Sequence, residues 1–71
     1  MEKLIYFIEM QLNWAKQTPN TANAFFHNAF GGLQFYIIEH NLKNEDYAEL
    51  EKLWNETYRP QFEELVYGGE A

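Results

Sequence analysis

The sequence predicts an all-α fold, a small antiparallel three-helix bundle with its third helix kinked near Pro60. Three observations carry this. Apolar residues recur at steps of three and four along three segments, which is helical spacing. The segments are parted by two stretches of turn chemistry, Thr18-Pro19-Asn20-Thr21 and Asn41-Leu42-Lys43-Asn44. No alternating strand pattern competes anywhere in the chain. At 71 residues there is room for one domain, with helices expected over about 2–17, 19–41 and 44–67.

The first helix places Leu4, Ile5, Ile8, Leu12 and Ala15 on one side, with Met1 beside them. Glu2, Glu9, Asn13 and Lys16 share a polar side. A second apolar strip, Tyr6, Met10 and Trp14 with Phe7 alongside, has no place on a helix that buries one face only. It marks an expected interface, with a neighbour inside the fold or with another chain.

Pro19 cannot extend the first helix but suits the first turn of the next, with Thr18 as its expected N-cap. The second helix carries a main stripe of Ala22, Phe25, Phe26, Ala29, Phe30, Leu33, Tyr36 and Ile37. Opposite lies a seam of Ala24, Asn28, Gly31, Phe35 and Ile38, spaced as in a heptad. If buried, Asn28 would need a partner and could fix helix register. Gly31-Gly32 could split this segment into two helices near 20–30 and 33–41. Alternatively, the pair lets a large side chain or another backbone approach. The stripe runs unbroken from Phe26 through Phe30 to Leu33 and Ile37, which favours a continuous helix.

Asn44 is the expected N-cap of the third helix, and Glu45 and Asp46 complement the helix dipole. Tyr47, Leu50, Leu53, Trp54 and Tyr58 follow at helical steps, and the pattern resumes with Phe62, Leu65 and Val66. Between them, Pro60 removes a backbone donor and disfavours helix at Arg59. Gly68-Gly69 reads as the C-terminal cap.

Thirteen aromatic residues, 18% of the chain, exceed what three short helices can enclose. Some must lie on the surface, and an exposed apolar strip of that length is an interaction site. The expected function is therefore a non-enzymatic protein-interaction module, with Tyr6, Phe7, Met10 and Trp14 joining it to a protein partner or to itself as a homo-oligomer.

The charge pattern offers an alternative. Glu45, Asp46, Glu49, Glu56, Glu63 and Glu64 form an acidic face on the third helix, within a chain of net charge −6. The plain account of that face is solubility. The sharper one is an acidic inhibitor or nucleic-acid mimic, of the kind phages and mobile elements carry, that blocks a basic groove on a partner. The same charge argues against direct binding of nucleic acid. No helix pairs an apolar face with a basic one, which argues against a membrane surface.

Catalytic and metal chemistry find little support. There is no cysteine and no serine. Thr18, Thr21 and Thr57 have no base partnered by spacing. His27 and His40 stand outside any metal-ligand spacing, and His40 suits a cation near a helix C-terminus. The carboxylates read as a solvated face and not as a pair held across a cleft. No cofactor and no catalytic residue is expected. Met1-Glu2-Lys3 and the short run from Leu4 to Ile8 lack the form of a secretory signal, so the cytoplasm is the expected compartment. Asn55-Glu56-Thr57, a glycosylation sequon by pattern, is then fortuitous.

Overall fold

A computed structural model describes residues 1–68, and it is an all-α bundle. Helix α1 spans Glu2–Gln17, α2 spans Ala22–Glu39, and the third segment consists of α3 (Asn44–Leu53), a π-helical turn (Trp54–Tyr58) and α4 (Arg59–Tyr67). Ring contacts of Phe26 with Phe62 and of Phe30 with Trp54 run α2 antiparallel to the third segment. The molecule measures 37 × 19 × 15 Å.

Between α1 and α2 the chain makes a single 3-10 turn, Pro19–Thr21. Thr18 does not cap the next helix as its position predicts. Its N–H (2.9 Å) and its hydroxyl (2.8 Å) both donate to the carbonyl of Trp14, closing the end of α1. The proline sets a 3-10 turn there, so α2 starts at Ala22, where its stripe begins, and not at the expected residue 19.

Helix α2 is continuous through Gly31-Gly32. It ends in a Schellman motif with asparagine in the glycine position. Asn41 adopts φ 51°, its N–H donates to Ile38 O at 3.2 Å, and Leu42 N–H donates to Ile37 O at 3.1 Å. Asn44 is likewise left-handed, at φ 56°, and its side chain makes no capping hydrogen bond. Asparagine tolerates this region, so it serves here as a bend and not as the cap that its type suggests. Gly68, at φ −68°, stays right-handed and forms no left-handed cap. Gly69 lies outside the described residues.

The kink expected at Pro60 takes the form of the π turn. Arg59 N–H reaches back five residues to Trp54 O, so the helix is unwound just where the proline ring would meet the carbonyl four residues earlier. The turn also serves packing. Leu50, Trp54, Tyr58 and Phe62 are all buried, each four residues after the last. In an α-helix each such step advances about 40° around the axis, and three would carry Phe62 out of the core. One wider turn cancels most of that drift.

The core is built from Leu4, Ile8, Leu12, Leu33, Leu50 and this aromatic ridge. Phe62 lies 5.4 Å from Phe26, their rings 11° from parallel, and Trp54 packs on both at about 6 Å. Ala15, Ala22 and Ala29 are fully buried and let the backbones approach.

Candidate functional site

Helices α1 and α2 are joined by three cross-contacts that set one antiparallel register. The Phe7 ring covers Gly32, with Cε2 2.6 Å from where a β-carbon would stand. Asn28 Nδ2 donates to Oε1 of the buried Gln11 at 3.4 Å. The rings of Trp14 and Phe25 lie 5.9 Å apart, tilted by 54°. Residue numbers fall on α2 by the step at which they rise on α1, which defines an aligned helix pair.

This pairing decides the fate of both predicted apolar strips. Of the first, Tyr6 and Trp14 are exposed, while Met10 and Phe7 are half-buried. Phe7 belongs partly to the helix pair, because Gly32 leaves it a seat there. The α2 seam is exposed throughout, at Ala24, Asn28, Gly31, Phe35 and Ile38. Among the described residues, nothing beyond its own helix backbone and chain neighbours stands within 4 Å of where a Gly31 β-carbon would be. At 3.6 residues per turn, the α1 strip and the α2 seam lie on the same side of the α1–α2 layer, turned away from α4. An open groove of about 700 Å³ lies between the start of α1 and the end of α2, where Phe7, Gly32, Phe35 and Tyr36 meet the charged Glu2, Lys3 and Glu39. The two strips thus share one side of the helix pair, on which Tyr6, Trp14, Phe35 and Ile38 are the exposed large side chains. No Asp, Glu, Lys or Arg occurs from Gln17 to Ile38.

The acidic residues lie elsewhere. Glu45, Asp46, Glu49, Glu56 and Glu64 are exposed on the third segment. Glu63 is half-buried and accepts from Arg59 Nε at 3.0 Å, and the same guanidinium donates to Asn55 Oδ1 at 3.3 Å.

On the flank between α1 and α4, the Tyr58 hydroxyl donates to Glu9 Oε2 at 2.8 Å. Burial, followed by the hydrogen bond to Glu9 and its negative charge, pushes the Tyr58 pKa up to about 12. Neither the bond nor the shift was signalled by the sequence, in which both residues fit ordinary helical positions.

A cleft of about 390 Å³ opens between α2 and α3, walled by Phe30, Leu33, Ile37, Tyr47 and Trp54, with His27 among its polar residues. Phe30, assigned by spacing to the core stripe, is exposed at this cleft. His40 is an exposed residue at the end of α2, its ring 4.2 Å from that of Tyr36. Among the described residues no three histidine or acidic side chains converge as metal ligands, and no helix is long and apolar enough to cross a membrane. No protein-family model matches this chain, nor does any curated protein or solved structure.

Proposed function

We propose that the chain is a non-enzymatic, cytoplasmic protein-interaction module that self-associates through the apolar face of its α1–α2 layer. One observation carries this reading. The Tyr6-Phe7-Met10-Trp14 strip and the α2 seam lie on one side of the helix pair, and α2 carries no formal charge from its start to Ile38. Depletion of charge with enrichment of aromatic residues is the composition of an interface core.

The test is the absolute mass in solution by light scattering at low and high salt. A salt-insensitive dimer or larger is expected, and Met10→Gln with Trp14→Gln should return a folded monomer. An oligomer unchanged by the double substitution would reject this face.

A second reading rests on the exposed carboxylates of the third segment, of which Glu45, Asp46, Glu49, Glu56 and Glu64 form no ion pair among the described residues. Such a surface fits a basic groove on another protein, as an inhibitor that imitates nucleic acid would. It requires binding that weakens steeply with salt and fails when Glu45, Asp46 and Glu49 are changed to lysine. Partner binding indifferent to both would remove it.

A further inference from the structure

Resting on the self-association proposed above, we infer that the occupant of this face is a second copy of the chain, laid antiparallel so that the two α2 helices cross at Gly31. The argument starts from side-chain size along the seam. Its N-terminal half, Ala24 and Asn28, is small, and its C-terminal half, Phe35 and Ile38, is large and exposed. Gly31 sits midway with open space above it.

A two-fold rotation about Gly31 sets Ala24 opposite the partner's Ile38 and Asn28 opposite the partner's Phe35, so each large side chain enters a space left by a small one. A parallel alignment would instead stack Phe35 on Phe35 and leave a void at Ala24. The alternating four- and three-residue spacing gives the shallow crossing at which such packing extends over several turns.

The α1–α2 register carries the same rotation to the first helix. There it lays Tyr6 against the partner's Met10, an aromatic on a thioether. It also brings Lys3 near the partner's Trp14, in reach of a cation–π contact. These matches follow from the seam without adjustment.

Area and charge agree. Tyr6, Trp14, Phe35 and Ile38 are 70%, 43%, 64% and 75% exposed. With about 150–250 Å² for each large side chain, two copies would bury roughly 1,000 Å² from these four positions alone. The threshold for a specific interface is about 1,000 Å², and Met10, Ala24 and Asn28 add to the area. The acidic third segments lie on the outer sides, away from the two-fold, which limits repulsion between two negatively charged copies.

The absence of cysteine makes the test direct. Single variants Gly31→Cys, Ala24→Cys and Ile38→Cys of the full chain are oxidised and run without reductant. Each changes an exposed position, and circular dichroism verifies the fold. Gly31→Cys should couple to itself. Ala24→Cys should not, since the rotation separates its two copies by about 20 Å, beyond the reach of a disulfide at about 7 Å. Mixed Ala24→Cys and Ile38→Cys should couple to each other. Gly31→Glu should dissociate the dimer without loss of helix.

Self-coupling of Ala24→Cys, or equal coupling by all three variants, would overturn the antiparallel crossing. Failure of every variant to couple, with the parent chain still dimeric by light scattering, would overturn the crossing and leave self-association standing. A monomeric parent chain would overturn both.

Discussion

The ring of Phe7 occupies the position that a β-carbon on Gly32 would need, its Cδ2 and Cε2 atoms 3.0 and 2.6 Å from that point. The neighbouring Gly31 faces open space. Two adjacent glycines in one helix therefore answer to different constraints, and alanine separates them. Gly31→Ala should stabilise the monomer by about 0.5–1 kcal/mol through helix propensity. Gly32→Ala should lose that gain and destabilise by about 1 kcal/mol as Phe7 is displaced. Urea unfolding of dilute protein measures both. Phe7→Leu combined with Gly32→Ala should recover part of the loss, a coupling that a double-mutant cycle reads directly.

Tyr58 and Glu9 predict a pH dependence. The phenol is neutral below its unfolded pKa near 10 and is held neutral up to about 12 in the fold. Its contribution to stability is therefore complete below about pH 10 and is lost as pH rises from there through 12. Tyr58→Phe should cost about 1 kcal/mol at neutral pH and flatten the decline above pH 10. Thermal unfolding between pH 7 and 11, compared for the two proteins, tests this.

Asn41 holds a left-handed backbone at the end of α2. Glycine adopts that conformation without cost, whereas alanine does not. Asn41→Gly should be neutral or stabilising by up to about 0.5 kcal/mol, and Asn41→Ala should destabilise by about 1 kcal/mol. Chemical denaturation gives the order. Alanine equal to or better than glycine would contradict the Schellman geometry.

Phe62 is the most deeply buried large side chain among the described residues; it stacks on Phe26 and packs at a tilt against Trp54. Phe62→Ala should cost about 3–5 kcal/mol. A domain this small has about 5 kcal/mol in total, so the variant should retain at most about 2 kcal/mol and show a midpoint of thermal unfolding brought down close to 25 °C by circular dichroism. Phe62→Leu should remain folded with a lowered melting temperature.

Much of this architecture is legible in residue spacing. Leu4, Ile8, Leu12 and Ala15 fall at core steps and are buried, as are Ala22, Ala29 and Leu33 on the facing helix. Pro60 announces a disturbance because its chemistry is local. What spacing does not reveal depends on neighbours. Thr18, Asn41 and Asn44 can each cap, bend or close a helix, and the backbone around them selects which. Phe7 looks equivalent to Tyr6 until Gly32 arrives beneath it. The seam on α2 is visible as a pattern, but that it adjoins the strip on α1 follows only from the register of the pair. A subtler sign was present in the third segment, where Leu50, Trp54, Tyr58 and Phe62 repeat every four residues. A strict period of four is wider than α-helical spacing and points to an underwound turn.

That turn also governs how the chain could change length. Deleting one residue between Trp54 and Tyr58 would let the segment rewind as ordinary α-helix, with every ladder bond intact except the one Pro60 lacks. Everything beyond the deletion would keep its orientation, because the wide turn already takes up the roughly 100° that one α-helical residue contributes. Phe62 would stay against Phe26, whereas a deletion outside the wide turn would swing it away. The wide turn acts as a one-residue splice in the reading of the helix, absorbing a surplus residue while the two halves of the aromatic ridge stay in phase.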